Sequence, residues 1–279
     1  MTQNPEITIL TANVGNSSFL CFHKKFKLCN KLVEDRIRDR IKEIKPAIIA
    51  FQELLSPMQE STKKNQRNTL PQIRRILGSD YSIMCDNRQQ FTALGLHQST
   101  GKFANSPLRN LGLSKNTYPP IKGCDSGFSL FQEEVILFKN MSKIHVVVAH
   151  LNSRNCNCRI KMIEQLQEQL MQLSINDKIL ILGDFNLDIW RHGKEKSAVK
   201  FALFLKQFPC LKIHNELNID ELPLLTFNKG IIKATFDFIC SNFLEGDCLV
   251  LNGEENLARL DGGKGTDHFS VFGKLNLGE

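Results

Sequence analysis

The chain is poor in the aromatic residues that most readily stack on bases: its 279 residues include two tyrosines and one tryptophan. That leaves Tyr118 and Trp190, both in predicted loops, as candidates for base stacking. No apolar run approaches the roughly 20 residues that cross a bilayer, which excludes an integral membrane protein. Met1 to Glu6 is polar and lacks the basic-then-apolar pattern of a secretory signal, so a cytoplasmic or nuclear location is expected. No stretch rich in Pro, Gly or Ser divides the chain, and residues 1–279 are expected to form one domain. With 42% hydrophobic and 23% charged residues, a disordered chain, a collagen-like repeat and a small disulfide scaffold are also excluded.

The net charge is +7, an excess that favours a polyanionic partner such as nucleic acid or an anionic membrane surface. Basic residues cluster at Lys63, Lys64 and Arg67 with Arg74 and Arg75, and separately from Lys24 to Lys31. Nine cysteines, an odd number lying mostly in apolar runs, are expected to be reduced, buried thiols. Cys156 and Cys158 near His150, and Cys21, His23 and Cys29, lack the paired second half of a zinc site.

Two stretches share one layout. Ile7 to Ala12 reads as a strand, followed by a helix with Val33, Ile37, Ile41 and Ile44 on one face, then by the apolar run Ala47 to Phe51. His145 to Ala149 is likewise a strand, followed by a helix bearing Ile160, Ile163, Leu166, Leu170 and Leu173, then by Lys178 to Leu182. Strands without alternation are buried on both faces. Further strands are predicted at Tyr81 to Cys85, Phe91 to Leu96, Phe128 to Phe138, Thr235 to Cys240 and Phe269 to Leu275, with a third helix over Ser197 to Gln207. This pattern predicts an α/β fold of two sheets packed face to face with helices outside. Ser56 to Asn68 and His97 to Ser126 are expected to be long polar loops.

The polar residues fall where the strands end. Asn13, Glu53, His150 and Asp184 each follow an apolar strand, with Asn152 and Asn186 two positions beyond the latter pair. Parallel, right-handed units would bring all four ends to one edge. Thr266-Asp267-His268 precedes the final strand and would join them if that strand were antiparallel. Asp237 is a carboxylate inside an otherwise apolar strand and requires a histidine or a metal as partner. Such an oxygen-rich set, with few nitrogens, suits Mg²⁺, with Mn²⁺ as a substitute, better than zinc.

Thr11-Ala12-Asn13-Val14, Phe51-Gln52-Glu53, His150-Leu151-Asn152-Ser153, Gly183-Asp184-Phe185-Asn186, Phe236-Asp237-Phe238-Ile239 and Thr266-Asp267-His268 follow one another from end to end of the chain. Their order and spacing resemble the endonuclease/exonuclease/phosphatase superfamily. That resemblance implies a deoxyribonuclease-like four-layer sandwich, two mixed β-sheets face to face with helices on the outside, and a metal-dependent phosphodiesterase. It also implies roles. Glu53 matches the metal-binding glutamate, Asn13 the asparagine beside the metal, and Asp267 a second metal or orienting ligand. Asp184 matches the residue that positions or deprotonates water, Asn186 its phosphate-contacting partner, and His268 the histidine that stabilises the transition state. Asp237 matches the acid paired with a catalytic histidine, and His150 the histidine of the His-Leu-x-Ser motif.

Inositol phosphatases carry Trp-Cys-Asp-Arg where this chain has Phe236-Asp237-Phe238-Ile239, and abasic-site endonucleases an Asp near Val14-Gly15-Asn16. His150 to Ser153 looks more like tyrosyl-DNA phosphodiesterases, deadenylases and neutral sphingomyelinases, although Met162 stands where those relatives have an arginine. Nucleic acid is therefore the favoured substrate, bound by a monomer with no obligate protein partner. Asn152, Lys63, Lys64 and Arg67 are the expected substrate contacts. The rivals are a sphingomyelinase-type lipid phosphodiesterase, for which Leu222 to Leu225 is the one short apolar docking segment, and a binding module that kept the fold without its chemistry.

Overall fold

The structure is a computed structural model that describes residues 6–14, 26–54, 70–86, 92–105, 111–124, 128–139, 141–215, 224–229, 232–251, 256, 266 and 268–277. The first strand–helix–strand unit is β1 (Glu6–Asn13), α1 (Phe26–Ile44) and β2 (Ile48–Gln52). It is followed by α2 (Leu70–Leu77), β3 (Tyr81–Cys85), β4 (Ala93–His97), β5 (Gly101–Phe103), β6 (Leu111–Leu113) and β7 (Ser129–Leu137). The second unit is β8 (Lys143–His150), α3 (Cys156–Leu170) and β9 (Lys178–Asp184), followed by α4 (Lys196–Gln207) and β10 (Lys212–Ile213). A two-stranded ribbon, β11 (Phe227–Lys229) and β12 (Ile232–Ala234), leads to β13 (Asp237–Ser241), β14 (Leu244–Glu245), β15 (Cys248–Leu251) and β16 (Ser270–Leu277).

One sheet runs β14-β16-β1-β2-β4-β3-β6, with β15 beside β16, and the other runs β10-β13-β9-β8-β7-β5. Both are mixed: β1 and β2 are parallel, as are β8 and β9, while β16 lies antiparallel to β1 and β13 antiparallel to β9. Three apolar layers fill the sandwich. Ile9, Ile48, Leu94, Phe131, Val148 and Leu182 meet between the sheets. Val33, Ile37 and Ile41 of α1 and Ile73 and Ile76 of α2 cover the outside of the first sheet. Ile163 and Leu166 of α3 and Phe201 and Phe204 of α4 cover the outside of the second. This is the expected four-layer arrangement of helix, sheet, sheet and helix. No described helix is long and apolar enough to cross a membrane.

Two expectations fail here. The stretch from His97 to Ser126 is not one long loop, because β5 pairs with β7 and β6 with β3 within it. The cysteines are not all reduced, because Cys124 and Cys158 form a disulfide with their Cα atoms 5.8 Å apart. Gln165 of α3 donates to Pro119 O at 3.0 Å, fastening the segment before Cys124 onto the helix that carries Cys158. Cys158 is thereby removed from any zinc site. Cys85, Cys240 and Cys248 are buried free thiols as expected, whereas Cys156 is half-buried and Cys210 exposed.

Among the described residues, Glu133 is an acid buried between the sheets away from the ends of β8 and β9. Glu133 shares the inward alternation of Phe131, Val135 and Leu137 on β7, and its Oε1 has no hydrogen-bond partner. Burial raises its pKa above the usual 4.5 against an opposing hydrogen bond from Ser114. Between the unfolded and the higher folded value the folded state holds the extra proton, so stability falls as pH rises through that window. Glu133→Gln is expected to raise Tm at about pH 8, by about 2–4 °C for each kcal/mol recovered, and to change it little below about pH 4. Calorimetry at the two pH values checks this; an equal gain at both would overturn it.

Candidate active site

Strand alternation aims the polar residues inward. On β1 the inter-sheet face carries Ile7, Ile9, Thr11 and Asn13, and on β2 it carries Ile48, Ala50 and Gln52. On β8 the same face carries Val146, Val148 and His150, and on β9 Leu180, Leu182 and Asp184. Each strand thus ends its inward face on a polar residue: β2, β8 and β9 change at the last inward position, and β1 one position earlier, at Thr11. The registers Asn13↔Gln52, His150↔Asp184 and Asp237↔Asp184 align those positions at one edge.

Two residues leave the strand geometry to reach this edge. In a continuing strand Glu53 would face away from Gln52, towards the helix layer. Its left-handed φ of 52° breaks the alternation and places Oε1 3.5 Å from His150 Nε2. Asn186 is also left-handed, at φ 51°, with its N–H on Asp184 Oδ1 at 2.8 Å and Nδ2 on Leu151 O at 2.9 Å. A left-handed non-glycine residue costs about 1–2 kcal/mol, and such strain gathers at functional sites. The glycine of the Gly-Asp pair is needed for closeness: at φ 142°, a Cβ on Gly183 would stand 1.9 Å from Ala149 O.

Asp184 is the centre of the cluster. Its Oδ2 accepts from Asn13 Nδ2 at 2.8 Å, bridging the two sheets, and lies 3.8 Å from His268 Nε2 and 4.0 Å from His150 Nε2. His268 Nδ1 donates to Asp237 Oδ2 at 2.9 Å, which fixes the proton on Nδ1 and turns Nε2 towards Asp184. Burial pushes Asp184 up to about 6; the Asp237 charge adds to this, while the two histidines and the Asn13 hydrogen bond oppose it. For His150, burial disfavours the imidazolium, but Glu53 and Asp184 outweigh it and raise its pKa above 6.5.

Among the described residues, the ligand atoms of Glu53, His150 and Asp184 lie within 4.8 Å of one another, as do those of Asp184, Asp237 and His268. Both ring nitrogens of His150 and Oδ1 of Asp237 are buried without a hydrogen-bond partner, a condition that a bound ion or substrate relieves. Carboxylate oxygens dominate the set, so it fits a hard divalent cation.

The structure therefore brings together Asn13, Glu53, His150, Asp184, Asn186, Asp237 and His268. Asn152 lies beside them, but its Oδ1 is used within its own turn, accepting from the N–H groups of Arg154 and Asn155. Asp267, Lys63, Lys64, Arg67 and the loop Ser56 to Asn68 lie outside the described residues, as do Cys21, His23, Leu222 and Pro223. Arg74 donates to Gly78 O and Tyr81 O, and Arg75 pairs with Glu34, so these two serve the fold around α2. Tyr118 is a core residue whose hydroxyl meets Gln132, and Trp190 packs on Phe238, so neither is an open stacking platform.

Several supporting residues carried no sequence signal. Asp188 accepts from Thr235 N, Thr226 Oγ1 accepts from the N–H groups of Phe236 and Asp237, and Asn215 Nδ2 donates to Asp237 O. Together they set the start of β13, and hence Asp237. Thr266, already marked by the Thr266-Asp267-His268 motif, donates from Oγ1 to Asn13 O and accepts from His268 N, tying the two sides of the site together.

Residues 10–199 match the sequence profile of the Endonuclease/Exonuclease/phosphatase family. No curated protein sequence matches this chain. Among solved structures, D. rerio TDP2 complexed with a single-strand DNA product is similar at TM-score 0.66 and 15% identity, over 98% of this chain and 100% of that one. The human Nocturnin catalytic domain with bound sulfate gives TM-score 0.65 and 17% identity, over 98% and 95% of the respective chains. An endonuclease/exonuclease/phosphatase family protein from Bacteroides thetaiotaomicron gives 0.67 and 14%, over 98% and 95%. At these identities the structural likeness establishes the fold, and the profile match, which spans more than half of the sequence, establishes the lineage. The chain belongs to the endonuclease/exonuclease/phosphatase family.

Proposed function

We propose that the protein is a divalent-metal-dependent phosphodiesterase, with Mg²⁺ the fitting ion and Mn²⁺ a substitute, acting on nucleic acid. The observation that carries this reading is Asp184, which belongs at once to the Glu53–His150 group and to the Asp237–His268 group. A carboxylate raised to about 6 can take a proton from water near neutral pH. Asn13 and the Asn186 N–H hold its two oxygens in place. His268, anchored through Nδ1, presents Nε2 on the same side and, when protonated there, donates to a phosphoryl oxygen as charge builds on it. Glu53 and Asn13 would hold the cation, with Asp267 as a further ligand. When bound, it supplies charge neutralisation and polarisation of the phosphoryl group.

The basic chain suits a polyanion of either kind, and one local feature favours nucleic acid over a lipid headgroup. Phe227 and Phe236, both half-buried, lie with ring centroids 5.1 Å apart, and Phe227 stands edge-on to His268 at 4.9 Å. They form an apolar wall beside the candidate acid on which a base can stack. D. rerio TDP2, on the same fold, carries a single-strand DNA product.

Turnover of single- and double-stranded DNA, RNA, 5′-tyrosyl DNA and sphingomyelin vesicles, each with Mg²⁺, Mn²⁺ or chelator, tests the reading. Metal-dependent cleavage of a nucleic acid is expected, with affinity falling on a log–log salt plot by about 0.9 per phosphate contact. Neutralising Lys63 and Lys64 together should lower that slope by about two and act mainly on KM. Turnover confined to vesicles, with a flat salt response on DNA, would overturn the nucleic-acid reading.

A further inference from the structure

His150 is only loosely held by polar contacts: Nε2 lies 3.5 Å from Glu53 Oε1 and 4.0 Å from Asp184 Oδ2, and neither ring nitrogen makes a close hydrogen bond. Its place is set by packing, with the Phe128 ring at 4.8 Å, and by the backbone turn that follows it. That turn is fastened to β9 on one side: Leu151 N donates to Asp184 O at 2.9 Å, and Leu151 O accepts from Asn186 Nδ2. On the other side stands a buried cation. Arg159, 7% exposed in the first turn of α3, donates from Nη1 to Asn152 O at 2.7 Å and from Nε to Ser197 Oγ at 3.0 Å. Its Nη2 pairs with Glu195.

Glu195 is the N-cap residue of α4, yet its side chain makes no capping bond to that helix. A side-chain cap is worth about 1 kcal/mol, and burying an ion pair in place of apolar residues rarely adds stability. Stability alone therefore does not explain why a guanidinium sits here. Its geometry does: the planar fork spans Asn152 O, Ser197 and Glu195 at once, which neither a lysine nor an apolar side chain can do.

We propose that Arg159 is a positioning residue of the active site. It fixes the turn 151–155, and through it the His150 ring, against Glu53 and Asp184. The proposal rests on the phosphodiesterase reading only for its kinetic consequence; the positioning itself is read separately.

The test uses the full chain with Arg159→Met and Arg159→Lys. Four quantities are measured: Tm, kcat and KM on a nitrophenyl phosphodiester with Mg²⁺, and the ring ¹H–¹³C resonances of His150. Arg159→Met is expected to shift the His150 resonances and to lower kcat by about 10- to 100-fold with KM little changed, as for a small misplacement of a reacting group. Arg159→Lys, which keeps the charge beside Glu195, should recover part of both. If Arg159→Met does not fold, the lysine variant carries the test alone, and it must then show intermediate losses. Variants that lose Tm yet keep the parent kcat and unmoved His150 resonances would overturn the proposal. A parent inactive on every phosphodiester, with His150 resonances that still move on substitution, would sink the phosphodiesterase reading and leave the positioning role standing.

Discussion

Asp184→Asn is expected to lower kcat by about 10²–10⁴ with a much smaller change in KM. The substitution keeps the size and one acceptor but removes the group that takes the proton. Asp184 receives hydrogen bonds on both oxygens, from Asn13 Nδ2 and Asn186 N, and a carboxamide can accept only one of them through its oxygen. The amide nitrogen then meets a donor, at a cost of about 1–3 kcal/mol. Removing a charge whose burial raises its pKa offsets part of that cost. The fold should therefore survive while the chemistry fails, and calorimetry beside steady-state kinetics separates the two. A variant with near-parent kcat would move the base elsewhere.

The second large effect is expected at Glu53. Glu53→Gln should abolish stimulation by Mg²⁺, because a hard cation needs a fixed carboxylate and gains little from a neutral amide. Several kcal/mol of transition-state stabilisation are at stake, about 10³-fold or more in rate. Glu53→Gly makes a sharper companion. The position is left-handed at φ 52°, where glycine is unstrained, so this variant should lose the activity yet gain in Tm. Stability purchased by deleting the one strained acid at the edge would show that the strain is kept for function. A Glu53→Gln enzyme that answers Mg²⁺ as the parent does would overturn the assignment.

The polar cluster at the sheet edge was legible in the sequence because its residues terminate apolar strands. Asn13, His150 and Asp184 each occupy the last inward position of a long buried run, so the change from apolar to polar marks the edge directly. The two parallel units were legible for the same reason. What was not legible falls into two kinds. β10, β12, β14 and β15 span two to four residues, too few to show a period, and α2 is a helix of 8 residues with Ile73, Ile76 and Leu77 as its buried contacts. Asp188, Thr226, Asn215 and Arg159 act on backbone atoms of distant residues, and no residue type or spacing announces such a bond. The Phe227–His268 contact is of this kind too, since it depends on the ribbon folding back over the last strand.

The Cys124–Cys158 bond closes a loop of 34 residues, which in the chain-entropy description removes about 4 kcal/mol of freedom from the unfolded state. Its two ends lie close in sequence to the contacts on the His150 turn: Cys124 is four residues from Phe128, and Cys158 is adjacent to Arg159. The robustness of the fold is consequently tied to the thiol–disulfide poise of whatever surrounds it, with 30 mV of potential equivalent to about 1.4 kcal/mol. The same chain exposes Cys210 and half-exposes Cys156. A reductant that guards those thiols against air also opens the crosslink, so the preparation that best protects the surface chemistry of this protein is the one that leaves its scaffold weakest.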